Sequence, residues 1–264
     1  MLLLCGSEAL FGTIEELGQS SRTQSLVTDQ FATNFFGPVN IIKAHLPILR
    51  AQRSGHIVLL TGISKVMNVI PTATPTNACL LTAGHLGTPG LGIHCASQWA
   101  IEGYCDSLAY EIAPFNVRLS IVQSNIEISV LTHKIVVAPA LDAYTPDGGN
   151  DAPIARKVTK GLLEKLELAS IAEGQLFDVG EGKTIGERLD TTDRVEVIWP
   201  PLPKSFRTQL VEETVYAVLA IGGHENPPAR HIVGLEGTAS VKEKLRTVSE
   251  ELEDFVEISC AVDL

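Results

Sequence analysis

Two short apolar runs, His56-Ile-Val-Leu-Leu-Thr61 and Val117-Arg-Leu-Ser-Ile-Val122, each follow a helical segment through a tight break. A short, continuously apolar run of this kind marks a strand buried on both faces, the pattern of a parallel sheet. Ahead of the first run, Ser25 to Arg50 reads as a helix, with Phe31, Phe35, Val39, Ile42, Leu46 and Leu49 at helical spacing. Pro38 and Pro47 make it irregular, and Arg53-Ser-Gly55 ends it. Ahead of the second run, Ile93 to Ala113 reads as a helix that stops at Pro114. Helix, strand, helix, strand with short links predicts parallel strands carrying helices on both faces. Leu2–Leu4 predicts the end of one more strand, and His231-Ile-Val-Gly234 another. Ala152–Leu168, Arg207–Ile221 and Ser240–Val256 read as helices. Residues 169–205 show little periodicity and read as an irregular surface segment.

Composition narrows the function classes. The chain has 264 residues, 45% of them hydrophobic, enough for one domain with a sizeable core. A net charge of −11 opposes a phosphate backbone, so nucleic acid is not an expected partner. Five cysteines are scattered with no Cys-x-x-Cys pair, which predicts neither a zinc site nor a disulfide framework and fits a reducing, cytoplasmic setting. The histidines are equally dispersed, so no metal is expected. Met1-Leu-Leu-Leu-Cys5 is too short for a signal peptide, and no apolar run reaches the length of a membrane helix. The run Gly84-His-Leu-Gly87-Thr-Pro-Gly90-Leu-Gly92 precedes a helix, but Cys95 stands where a phosphate-binding loop would place its third glycine.

Five stretches recur in a telling order: Phe11-Gly-Thr-Ile-Glu-Glu-Leu17, Asn34-Phe-Phe-Gly-Pro-Val-Asn40, Gly55-His-Ile-Val-Leu-Leu60, Thr88-Pro-Gly-Leu-Gly92 and Glu111-Ile-Ala-Pro-Phe-Asn-Val117. In that order and spacing the chain resembles the short-chain dehydrogenase/reductase family, closely over residues 5–130 and loosely beyond. The resemblance implies an α/β fold, a partial Rossmann-like parallel sheet corresponding to the second half of a doubly wound domain. It also implies NAD(P) as cofactor and a small-molecule alcohol or carbonyl as substrate. The first residues align with the family's fourth strand. The expectation is therefore a single domain over residues 1–264 that lacks the Gly-rich strand–turn–helix part and leaves a strand edge exposed. The interval between Gly62 and His94 is longer than the resemblance implies, and removing residues 65–83 restores it, so that stretch reads as an insertion.

The same resemblance assigns the site. Asn34 matches the family's helix asparagine. Gly62 falls where the family has its serine, with Thr61 and Ser64 the nearby hydroxyls that could substitute. His94-x-x-x-Gln98 stands where the family has Tyr-x-x-x-Lys, and Ser129 stands for the threonine that contacts the nicotinamide end of the cofactor. A tyrosine with a free pKa near 10 needs a neighbouring ammonium to move protons at neutral pH. Gln98 has no charge to supply, and an imidazole can donate near pH 6.5. Three expectations result. One is a degenerate member with little or no activity. Another is an active reductase using His94 as proton donor, with Asn34 and Ser64 around it. The last is a non-enzymatic interaction protein, pairing through the Trp99 face of the 93–113 helix as a homodimer or through the exposed strand edge.

Overall fold

The computed structural model describes residues 1–63, 88–125, 130–144, 154–175 and 184–260. Ser64, Ser129 and the 65–83 insertion lie outside the described residues.

Four strands form the main sheet: β1 (Leu2–Leu4), β3 (Gly55–Ile63), β4 (Val117–Asn125) and β7 (Arg230–Ile232), in the order β1-β3-β4-β7. All three pairings are parallel. The longest runs in register from Gly55 opposite Val117 to Ile63 opposite Asn125. Side chains alternate along β3. Ile57 and Leu59 join Ile42, Ile101 and Cys105 in a core under α3 (Gly37–Gln52) and α4 (Gly92–Ile112). Val58 joins Ala217, Val218 and Ile221 under α7 (Lys204–Gly222). Helices thus cover both faces, as the apolar runs predict.

The expected Ser25–Arg50 helix is three pieces. α2 (Ser21–Phe31) passes into a π-helical turn, Ala32–Phe36, and then into α3. Pro38 lacks the N–H that would bond the carbonyl of Asn34, and its ring crowds that carbonyl. The wider turn relieves the crowding, with the Gly37 N–H reaching the Ala32 carbonyl. Arg53 closes α3 in the left-handed region at φ 49°.

A second sheet has no counterpart in the sequence reading. β2 (Ala9–Phe11) pairs parallel with β5 (Ile135–Val137), which pairs antiparallel with β6 (Glu196–Ile198). It is backed by α5 (Ile154–Ala172) and α6 (Ile185–Leu189). Ile198 and Leu202 are essentially inaccessible in the same core as Leu163, Leu166, Ile185 and Leu189. The described part of 169–205 is therefore not an irregular surface. It supplies a short helix, a strand and core residues, although Ile171 and Trp199 remain exposed. The last described helices are α8 (Leu235–Asp254) and the short α9 (Val256–Ser259).

Candidate active site

Helix α4 presents His94, Gln98 and Glu102 on successive turns of one buried face, with exposures of 0%, 3% and 4%. Opposite His94, the chain between β1 and β2 brings in the backbone of Glu8. Its carbonyl is a hub, approached by the side-chain amides of Gln30 and Asn34 and by His94 Nδ1 at 2.9 Å. A carbonyl only accepts, so His94 carries its proton on Nδ1. Nε2 is then a lone pair, enclosed and, among the described residues, without a hydrogen-bond partner. Burial pushes the His94 pKa below its ordinary value, against the opposing pull of the Glu8 carbonyl.

Asn34 sits in the π turn and reads the Glu8 backbone as a neighbouring strand would. Its Oδ1 accepts from Glu8 N–H at 2.9 Å, while Nδ2 donates to the Glu8 carbonyl at 3.0 Å and to Ser97 Oγ at 3.1 Å. Ser97 in turn donates to the His94 carbonyl at 2.7 Å. Gln30 repeats the device one helical turn earlier by accepting from Leu10 N–H at 2.7 Å. Asn34 and His94 are therefore brought together in a hydrogen-bond cluster that ties α2 and α4 to the β1–β2 link.

Further along α4, Glu102 is a site residue that the sequence reading passed over. Its carboxylate accepts from Thr61 Oγ1 at 2.8 Å and from Gln123 Nε2 at 2.9 and 3.0 Å, with Arg230 Nε 3.7 Å away. Thr61 and Gln123 are paired residues on β3 and β4, so one carboxylate locks two strands to the helix. The spacing of four from Gln98 could have exposed it, but a lone helical Glu ordinarily faces water. Thr61, whose hydroxyl stood near the family's serine position, is occupied by Glu102 and points into the helix–sheet interior.

The nicotinamide cofactor implied by the resemblance would need, beside its ring, an accessible group able to give or take a proton. The described residues at that position do not fit this requirement. His94 is enclosed and neutral, Gln98 is neutral and buried, and Ser97 is wholly buried.

No protein-family profile matches the chain. The chain is similar to 3-ketodihydrosphingosine reductase of Bacteroides thetaiotaomicron, 37% identical over 101 residues, 38% of this chain and 30% of that protein. It is similar to human 17-beta-hydroxysteroid dehydrogenase type 1, 29% identical over 139 residues, 52% of this chain and 35% of that protein. Human retinol dehydrogenase 8 is 32% identical over 93 residues, 35% of this chain and 24% of that protein. The matched stretch thus spans about a third or less of these relatives' length. Among solved structures, a short-chain dehydrogenase from Streptomyces avermitilis superposes with a TM-score of 0.53 at 18% identity, covering 99% of this chain and 70% of that one.

Proposed function

This chain belongs to the short-chain dehydrogenase/reductase family, and on that premise we propose that it carries out little or none of the family's chemistry. By resemblance that chemistry is NAD(P)-dependent interconversion of an alcohol and a carbonyl on a small molecule. One observation carries the reading: His94, at the family's tyrosine position, is fully buried with its one proton committed to the Glu8 carbonyl. A positioned acid is worth roughly 10²–10⁴-fold in rate. To act as a donor His94 would have to become cationic in an enclosed site, and burial opposes that.

The test is NADPH titration by fluorescence, followed by turnover on apolar carbonyl compounds. The relatives named for a ketosphingoid base, a steroid and retinol recommend that panel. We expect no saturable binding and no turnover above the blank. Saturable binding with turnover that disappears in His94→Phe would instead support the active reductase with His94 as donor.

A second reading is favoured by the outer face of α4. Trp99 is 51% exposed and Tyr110 84%, on the side opposite His94 and beside the small residues Ala96 and Gly103. That face supports a non-enzymatic role through a homodimer formed by residues 93–113. Cys5, Cys95, Cys105 and Cys260 are free thiols, which supports the cytoplasm as the setting. No helix among the described residues is long and apolar enough to cross a membrane.

A further inference from the structure

A groove of about 320 Å³ opens between α3 and α4, at the end of the main sheet where β4 begins. That volume lies at the small end of the range for small-molecule sites, about 300–1,000 Å³. Its walls are apolar: Leu46 and Pro47 come from α3, Leu108 and Ile112 from α4, and Phe115 from the turn that follows. Leu108 and Ile112 are buried and Phe115 is half-buried. Three charged side chains also line the groove, Lys43 and Arg50 on the α3 side and Glu111 on the α4 side.

Lys43, Pro47 and Arg50 follow one another at helical spacing along one side of α3. Both cations are exposed, and among the described residues neither has an ion pair or a side-chain hydrogen bond. Composition marks the same helix. The chain has 31 acidic residues, yet none lies between Asp29 and Glu102, so α3 carries Lys43, His45 and Arg50 with no carboxylate. It is a cationic element in a chain of net charge −11.

We propose that this groove binds a single-chain amphiphile with an anionic head, a fatty carboxylate. The chain lies on Leu46, Pro47, Leu108 and Ile112, where its burial supplies the attraction that any apolar chain would feel. Lys43 and Arg50 hold the carboxylate, converging on it from either side of Pro47 through their long stems. Glu111 stands on the opposite wall and repels the head, which sets it on the α3 side and weakens binding. Leu108 is about 20 Å along α4 from His94, so the site rests on no catalytic reading.

Calorimetric titration of the full chain with decanoate below its micellar concentration tests this, with 1-decanol as the chain alone and acetate as the anion alone. One decanoate per chain is expected, bound at least about fivefold more tightly than 1-decanol, and acetate should not saturate. Lys43→Gln with Arg50→Gln should weaken decanoate about tenfold and leave 1-decanol unchanged, whereas Glu111→Gln should tighten decanoate about two- to fivefold. The three side chains are exposed, so these variants keep the fold, and a gain in Glu111→Gln cannot come from misfolding. Absence of saturable binding, equal affinity for the neutral chain, or an affinity that none of these substitutions moves overturns the proposal. So does a light-scattering mass that doubles with protein concentration while decanoate binding falls, because a second copy then fills the groove.

Discussion

Two buried histidines make the protein's stability depend on pH in one direction. His94 donates from Nδ1 to the Glu8 carbonyl. His56 donates from Nε2 to Ser120 Oγ at 3.0 Å, because the Ser120 hydroxyl is itself spent on the Pro228 carbonyl. Among the described residues, Nδ1 of His56 and Nε2 of His94 are then buried without a hydrogen bond of good geometry. Burial lowers both pKa values; for His56 the nearby Gly222 carbonyl opposes the shift and the Arg118 charge adds to it. An unfolded histidine titrates near 6.5, so below that pH the unfolded chain binds protons that the folded chain refuses. The contribution of these two groups to stability is complete above about pH 6.5 and is lost as pH falls from there toward the depressed folded values. We expect a lower Tm at about pH 5.5 than at about pH 7.5, with the difference reduced by His94→Gln and by His56→Gln. Equal pH dependence in wild type and both variants would refute the assignment. In the sequence, His94 is conspicuous through its position before Gln98. Its neutrality is not legible there, because it depends on Glu8, far away along the chain.

At the scale of elements, the turn into α4 depends on Gly90. Its φ is +81°, its carbonyl accepts from Gly12 N–H at 2.9 Å, and a Cβ there would stand 2.4 Å from Phe11 Cε2. Phe11 cannot yield easily, being 1% exposed with the Arg156 guanidinium 5.6 Å from its ring centroid. Gly90→Ala should cost about 1–3 kcal/mol from backbone strain, with the clash adding to it. Gly103→Ala is the control: inside α4, with nothing within 4 Å of its Cβ position, it should gain about 0.5–1 kcal/mol. Urea midpoints moving the same way for both would contradict this account. The contrast also shows why some elements were readable. β3 and β4 are long apolar runs bounded by turns, and α4 has a continuous buried face, so periodicity finds them. β2, β5 and β6 are three residues each, too short for any period, and they exist through pairing with one another. The π turn is likewise a response to Pro38, a residue whose irregularity is visible while its remedy is not.

Across the whole molecule, one buried ion pair joins parts that the sequence keeps far apart. Arg156 on α5 is 1% exposed and Glu16 on α1 (Ile14–Gly18) is 0%. Arg156 Nε meets Glu16 Oε1 at 2.8 Å, while its other nitrogens donate to the carbonyls of Leu189 and Ala138. Glu16 also accepts from Thr13 N–H at 2.7 Å and from Leu141 N–H at 3.2 Å. The pair thus fastens α1, α5, α6 and the exit of β5 around the small sheet. Nothing in the sequence marks Arg156, since an arginine on an amphipathic helix ordinarily faces water. Removing one partner leaves an uncompensated buried charge, at a cost of about 3–5 kcal/mol. Both Glu16→Gln and Arg156→Met should lower the urea midpoint accordingly. The loss should also be uneven. The strands of the small sheet are short, whereas β3 and β4 hold each other over their full length and stay clamped to α4 by Glu102. In Glu16→Gln, the amides of β2, β5 and β6 should therefore exchange well before those of β3 and β4. Uniform loss of protection over both sheets would mean that they unfold as one unit and that the ion pair does not divide them.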